Sequence, residues 1–541
     1  FCKSPQITDA IRLFAFDDWV KHSTNIKYIE LVSANHELRE CLKNLCEAKK
    51  IGFEWRQLPV EAKPGSLLKK TINQLPYTIQ AWSWLLKYLL DRWTLRGVGV
   101  EEWRKTKSRI TFVSYFFNLQ SKAAQAGRFE SDYWTKLPSI LGKKNTLSSW
   151  LHLYVKSPVA PNANSAASIL RSFNANQNAQ QTHVFLDSFL SIKTVRRAIQ
   201  DYSNIKRISR FDLANIFQYQ FKDSELIYSL LWPLFKKDWE QSFFGIEAMR
   251  NVLTFNLFEK AFSDLSNQSV GIYLQENQGW EFGMIHAWRS NAHRGLTGFP
   301  HSTVRFWDLR YFFDPRSYYK TQAGLPMPDS VATSGNLVKK AYLEGGYPAR
   351  DVTQVEALRY LYLREVDHIQ TGLRSTSSKQ LQILVLGDYL SSNVVFQMRL
   401  LREIADELSN IELTVKAHPG CPIDVADYPE LKLKLSDQPL SDLIGHFDIA
   451  FTSSVTSAAV DVYSAGLKVI SALDPESLNL SPLRGVEGVR FVSSSDMLRE
   501  ALRAACLKDD EGSESIQYFN VDPSLQCWRA LLSNDHECNK L

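Results

Sequence analysis

Between residues 381 and 506, short apolar runs alternate with amphipathic ones at close intervals, and few folds accept that pattern. LQILVLGDYL, IELTVKAHPG, DIAFTSS and KVISAL read as strands, while SNVVFQMRLLREIADEL, PLSDLIGHF, SVTSAAVDVYSAG and SSDMLREALRAACL read as helices. Strands without polar alternation are covered on both faces. Their regular exchange with helices over short connections predicts a doubly wound parallel sheet. The chain has 541 residues, more than one core supports, so a second domain is expected upstream. The polar stretch REVDHIQTGLRSTSSKQ, Arg364–Gln380, ends in a Ser/Thr run and predicts the linker. The expected organisation is an α/β chain of two Rossmann-type domains facing a cleft, 1–370 and 378–510. A tail, 511–541, carries the helical pattern YFNVDPSLQCWRALLS, which is expected to pack back on the first domain.

The upstream part is less regular. IKYIELVSANHELRECLKNLCEAKKIGFEW reads as strand, helix and strand, with YIELVS covered on both faces and Gly52 ending the helix: one α/β unit of a parallel sheet. Residues 63–268 read as a helical insertion with one buried strand, Arg109–Leu119. The Asn-, Ala-, Ser- and Gln-rich segment Pro158–His183 reads as a long, weakly structured loop. Thr78–Trp93 reads as a helix either buried between layers or lying on a membrane surface, which its Trp residues and basic flanks would suit. Strands return with VGIYLQENQGW and RGLTGFPHSTVRFW, followed by two short units at the domain edge.

Composition narrows the function classes. The net charge is only +5 and no basic tail occurs, which argues against nucleic acid as a partner. The seven cysteines, Cys2, Cys41, Cys46, Cys421, Cys506, Cys527 and Cys538, are odd in number and irregularly spaced, which fits a reducing compartment and offers no zinc pattern. No signal peptide is visible, and a chain that begins at Phe1 leaves its natural start open. No apolar run reaches the roughly 18 residues needed to span a bilayer. The expected location is cytoplasmic, with contact at the inner face of the cytoplasmic membrane through residues 78–93.

Ligands of an open parallel sheet bind beyond the carboxyl ends of its strands. Three such ends in the second domain carry unusual residues. Gly387-Asp388 lets the backbone approach a ligand. Lys416-Ala417-His418-Pro419-Gly420 combines a cation, a hydrogen-bond donor and a rigid turn. Thr452-Ser453-Ser454-Val455-Thr456 opens a helix, where free N–H groups, the helix dipole and hydroxyls favour an anion. Each alone is also what a simple turn or helix cap looks like.

With these loops the chain resembles a GT-B glycosyltransferase. The His-Pro dipeptide followed by a Ser-Ser pair resembles the CMP-binding motifs of bacterial sialyltransferases and Kdo transferases, which implies that His418, Pro419, Ser453 and Ser454 contact the CMP part of a donor. YLQENQGWE, GFPHSTVRFWDLRY and GYPARDVTQVEALRY further resemble bacterial surface-carbohydrate biosynthesis proteins of this class. The sialyltransferase acidic-acidic-Gly motif has no counterpart in the first domain, since KDDEGS lies elsewhere, so the catalytic carboxylate stays open.

In the first domain Glu276 ends an apolar strand beside Asn277, Gln278 and Gly279 and is the preferred carboxylate, with Glu281 and Asp308 as alternatives. His301 and Arg305 follow another strand and are candidates for a substrate carboxylate or for the acceptor; a buried ion-pair network is the other reading. No Asp-x-Asp occurs, so neither metal nor cofactor is expected. The resemblance implies transfer of a nonulosonic acid from a CMP-sugar to a glycan or lipid-linked glycan. The alternatives are a UDP- or GDP-sugar transferase or epimerase, or a non-catalytic glycan-binding relative.

Overall fold

The structure is a computed structural model, which describes the chain apart from residues 1–3, 24, 60–73, 144, 177–179, 210–229, 306–307, 315–323, 365–380, 409–410, 507–517 and 534–541. The expected linker therefore lies almost wholly outside the described residues.

Two strands near the N-terminus, β1 (Tyr28–Ser33) and β2 (Gly52–Gln57), pair in parallel as a small sheet of their own. β1 alternates exposed and half-buried positions, so it is not covered on both faces as its apolar composition suggested. The main sheet of the first domain holds β3 (Ile110–Phe116), β4 (Ser148–Tyr154), β5 (Gln181–Phe185), β6 (Val270–Leu274), β7 (Leu296–Phe299), β8 (Ser330–Thr333) and β9 (Val352–Gln354). Their order is β5-β4-β3-β6-β7-β8-β9, all parallel. The second sheet holds β10 (Leu381–Leu386), β11 (Ile411–Lys416), β12 (Leu433–Leu435), β13 (Ile449–Ser453), β14 (Lys468–Ala472) and β15 (Val489–Val492), in the order β12-β11-β10-β13-β14-β15, again all parallel. Both sheets thus follow the Rossmann strand order, the first with a seventh strand added. The chain is a two-domain α/β protein of GT-B-like architecture.

The expected helical insertion over 63–268 is corrected. β3, β4 and β5 lie inside it and form one flank of the main sheet, so the helices between β3 and β6 are its crossovers. The expected loop Pro158–His183 contains the helix Ala163–Ala175 and leads into β5. Asn162 caps that helix by accepting from Ser165 N at 2.9 Å. Its buried face is Ala163, Ala166, Ala167, Leu170 and Phe173, a helical period written mostly in alanine.

Packing explains the sheet. Phe112 stacks on Trp150 with ring centroids 4.2 Å apart, and Trp134 meets Phe112 edge-on at 5.1 Å. Removing one such ring costs roughly 3–5 kcal/mol. The helix Gln526–Ser533 adds the fully buried Trp528 to this core, 4.9 Å from Phe299. Buried Glu356, just after β9, accepts from Cys527 N at 2.9 Å and Trp528 N at 3.1 Å, and so caps the helix.

Tyr77–Arg92 is a helix that buries Ala81 and Leu85 in the same cluster as Met249 and Leu253. It is not sandwiched between layers: Ile79, Trp82, Leu86 and Leu90 share its outer face, with Leu90 74% and Leu86 62% exposed. Among the described residues no helix is long and apolar enough to cross a membrane. Where the two domains meet they share one apolar cluster, which includes Tyr311, Tyr342 and Tyr360 from the first and Leu386, Ala459 and Val460 from the second.

Candidate functional site

In each sheet the chain reverses direction once, between β3 and β6 and between β10 and β13, and ligands of such sheets bind at that point. The expected residues cluster at both points.

At the first, buried Gln275 follows β6 and accepts from Tyr342 Oη at 3.0 Å. Glycine at 298 on neighbouring β7 makes room for it, since a Cβ there would lie 2.9 Å from Gln275 Cδ. Asn277 turns the chain in the left-handed region, φ 54°, which Asn tolerates. Between them Glu276 emerges, its side chain 26% exposed. Its Oε2 accepts from Tyr115 Oη at 3.3 Å and from Gln278 Nε2 at 3.1 Å, and its Oε1 stands 3.6 Å from His301 Nε2. His301 is buried, and its ring meets Tyr133 at 4.4 Å. Burial lowers His301 to about 4; the Glu276 carboxylate opposes that shift and the Arg359 charge adds to it. The imidazole is therefore neutral near pH 7, and its buried Nδ1 has no hydrogen-bond partner among the described residues.

The structure separates the three candidate carboxylates. Glu281 is buried and accepts from Glu276 N and Gln278 N, both at 2.9 Å, closing the capping box of the helix Gly279–Ser290. Asp308 takes Arg310 Nε at 2.7 Å and also Arg310 Nη2, and is thereby neutralised. Arg310 reaches on to the carbonyl of Glu276 at 3.3 Å, so this pair holds the Glu276 loop. Of the three, Glu276 presents a carboxylate that the fold has not used up.

At the second reversal, Asp388 is fully buried. It accepts from Leu390 N at 3.2 Å, from Asn393 Nδ2 at 2.9 Å and from Ser453 Oγ. Asp388 and Ser453 thus tie the end of β10 to the end of β13, and their polar atoms point at each other. A Cβ at Gly387 would lie 3.3 Å from Ala417 Cα, so glycine there admits the neighbouring loop rather than a ligand. Ser454 and Thr456 are buried. The helix they precede starts only at Ala458 and ends at Ser464, so its dipole is short. Lys416 Nζ donates to Gln438 O at 2.5 Å. His418, Pro419 and Gly420 are exposed. Gly420 N donates to His418 Nδ1 at 3.0 Å, so a neutral ring carries its proton on Nε2 and offers a donor outward.

Three residues missed in the sequence join the two sides. Asp461, on the short helix after β13, accepts from Tyr362 Oη of the first domain at 2.9 Å. Burial raises Asp461 to about 6, against the Tyr362 hydrogen bond and the Arg359 charge. Arg359 bears on both His301 and Asp461 and so couples the two edges electrostatically. The cue was an arginine inside the aromatic run LRYLYL and an aspartate inside the apolar run AAVDVY.

No protein-family model and no curated protein sequence matches the chain. Solved structures with a similar backbone include UDP-GlcNAc 2-epimerase from Neisseria meningitidis bound to UDP-GlcNAc, with TM-score 0.39 and 9% identity over 79% of this chain and 100% of that one. Alr3699/HepE of Anabaena in complex with UDP has TM-score 0.39 and 10% identity over 79% and 100%. A glycosyltransferase from Rickettsia africae has TM-score 0.35 and 10% identity over 80% and 96%. The likenesses are remote, and no residue role is carried over from them.

Proposed function

We propose that this protein is a glycosyltransferase or sugar-modifying enzyme acting on a nucleotide sugar, with a UDP- or GDP-sugar as donor. The observation that carries the proposal is the pairing of two Rossmann-order reversal points with complementary chemistry: Glu276 with neutral His301 on one edge, the exposed His418 loop on the other. The His418 loop holds donor phosphate through Nε2–H and backbone groups. Glu276 takes the proton of an acceptor hydroxyl or faces a developing sugar cation, with Tyr115 and Gln278 fixing its orientation. A CMP-nonulosonate donor is the weaker reading, because the Ser453 hydroxyl it would need is engaged by Asp388. Calorimetric titration with UDP, GDP and CMP separates the readings. Selective CMP binding would replace the proposal with its rival, and binding of no nucleotide would leave a glycan-binding protein.

We infer that the acceptor is met at an anionic membrane surface. The exposed stripe Ile79, Trp82, Leu86 and Leu90 borders the helix Ile192–Ser209, whose Tyr202 ring lies 6.4 Å from Trp82 and whose Lys193, Arg196, Arg197 and Arg207 are exposed. Leu86→Ser/Leu90→Ser is expected to lose co-sedimentation with phosphatidylglycerol vesicles; unchanged sedimentation, or none by the parent, overturns the placement.

A further inference from the structure

The side chains around the Glu276 carboxylate close a circuit. Glu276 Oε2 accepts from Tyr115 Oη at 3.3 Å, and the Tyr115 ring lies 5.5 Å from Phe117. Phe117 meets Tyr133 edge-on at 5.5 Å, Tyr133 meets His301 at 4.4 Å, and His301 Nε2 returns to Glu276 Oε1 at 3.6 Å. Phe117 is the one member without a polar side-chain atom. It follows β3 directly, and the pairing of Val113 with Tyr273 brings it to the same sheet edge as Glu276.

A phenylalanine at the end of a core strand is ordinarily core itself. Phe112 and Phe116, earlier on β3, are fully buried, but Phe117 and Tyr115 stay partly open to solvent at the reversal point. The backbone that presents the ring is held firmly. Asn118 turns in the left-handed region, φ 55°, its carbonyl accepts from Asp132 N at 3.0 Å, and Leu119 bridges to Ser131.

A partly open ring beside a carboxylate and a neutral imidazole selects one ligand chemistry. A second negative charge would lie against Glu276. Arg305, expected to meet a substrate carboxylate, lines instead a cavity of about 260 Å³ whose wall includes no member of the circuit. A purely apolar ligand would strip water from Glu276 and replace it with nothing. A pyranose fits both surfaces: the C–H groups of one face lie on the electron-rich ring, and the hydroxyls of its rim reach the carboxylate.

We propose that Phe117 is the stacking platform of a sugar subsite, on which the terminal pyranose of the acceptor lies with one hydroxyl at Glu276. The assignment rests on reading Glu276 as the group that faces the acceptor. Tyr115 then acts twice, orienting the carboxylate through its hydroxyl and backing the platform with its ring.

Saturation-transfer NMR on the full chain, with the methyl pyranosides of glucose, galactose, mannose and N-acetylglucosamine, reads the platform. At least one pyranoside is expected to take up saturation from the parent, most strongly at the C–H protons of one face. Phe117→Tyr should keep that transfer. Phe117→Leu and Phe117→Met retain apolar bulk without a ring face and should lower it by roughly fivefold, the size of one ring contact. A urea unfolding midpoint equal to the parent's shows that a variant is folded. UDP, titrated calorimetrically, should bind the parent and the folded variants alike. No transfer to any pyranoside in the parent overturns the proposal, as does undiminished transfer in Phe117→Leu or Phe117→Met. A parallel fall in UDP affinity gives the ring to the donor and overturns the acceptor subsite. If no nucleotide binds while these variants still lose the sugar, the transferase reading fails and the sugar subsite stands.

Discussion

The two reversal points share a topology and divide the chemistry. In the first domain the backbone around Glu276 is held by Glu281 and Arg310, Gln275 donates to the Asn277 side chain, and a carboxylate is left facing outward. In the second, the carboxylate of Asp388 is turned inward and consumed by Asn393 and Ser453, while an imidazole donor faces outward. One edge offers a proton acceptor and the other a proton donor. Strand order places a site; which polar groups the fold uses internally decides what the site can do.

The broadest test of this contrast is acid. His152 and His183 are fully buried in the first domain, with Nε2 and Nδ1 3.0 Å apart, and burial lowers His152 to about 3 and His183 well below its ordinary value. Folding keeps them neutral, whereas the unfolded chain protonates them below about 6.5. Their contribution is complete above pH 6.5 and is lost as pH falls toward 3, a loss on the order of several kcal/mol. Asp461 runs the other way: raised to about 6, it favours the folded state most below its ordinary range and loses that contribution as pH rises through 6. All 14 tryptophans lie at or before residue 307 or at residue 528. Tryptophan fluorescence therefore reports the first domain and its docked tail. It is expected to show an acid transition between pH 6.5 and 3 that shifts to lower pH in His183→Phe; an unshifted transition breaks the contrast.

Next in size is Glu276→Gln, which should lower turnover by roughly a hundredfold or more while leaving nucleotide binding intact. Near-normal turnover in steady-state kinetics would remove the outward carboxylate from the argument. Asp388→Ala should act on stability instead, costing about 1–3 kcal/mol in urea unfolding by orphaning Asn393 and Ser453. A catalytic defect at unchanged stability would reverse the roles assigned to the two carboxylates. The smallest effect belongs to the exposed loop: His418→Ala should weaken UDP or GDP binding by about tenfold, and equal affinity by calorimetry would remove that donor from the site.

In the second domain the four inner strands were legible because they are plain apolar runs with short connections, whereas the short, partly exposed edge strands β12 and β15 were not. In the first domain β4 and β5 were hidden: SSWLHLY and QTHVF bury Ser149, His152 and His183 with partners on other elements, such as Thr106 Oγ1 at 3.1 Å from Ser149 Oγ. A local period cannot show a hydrogen bond to another strand. The same limit applied at the site. Glu276 was preferred over Glu281 for standing nearest the strand end, but that the helix cap consumes Glu281 is visible only in the structure. Asp388 and Ser453 carried the residue types of an anion site, yet their bond to each other, 65 positions apart in sequence, is visible only in three dimensions. Asp461 was obscured by its apolar neighbours, the same neighbours whose burial of it raises its proton affinity.

Trp528 has a consequence for the order in which the molecule can be made. It completes the core around Trp134 and Phe299, and its helix is capped by Glu356, yet more than 150 residues separate it from the strands it covers. During synthesis the second domain is free to collapse on its own as soon as β15 and its last helix have left the ribosome. The first domain, although translated earlier, must wait with an open aromatic face until residue 528 emerges. The N-terminal half is thus the last to finish folding, and a ribosome stalled anywhere in the second domain would hold a chain whose earlier half still exposes apolar surface to chaperones and to other nascent copies.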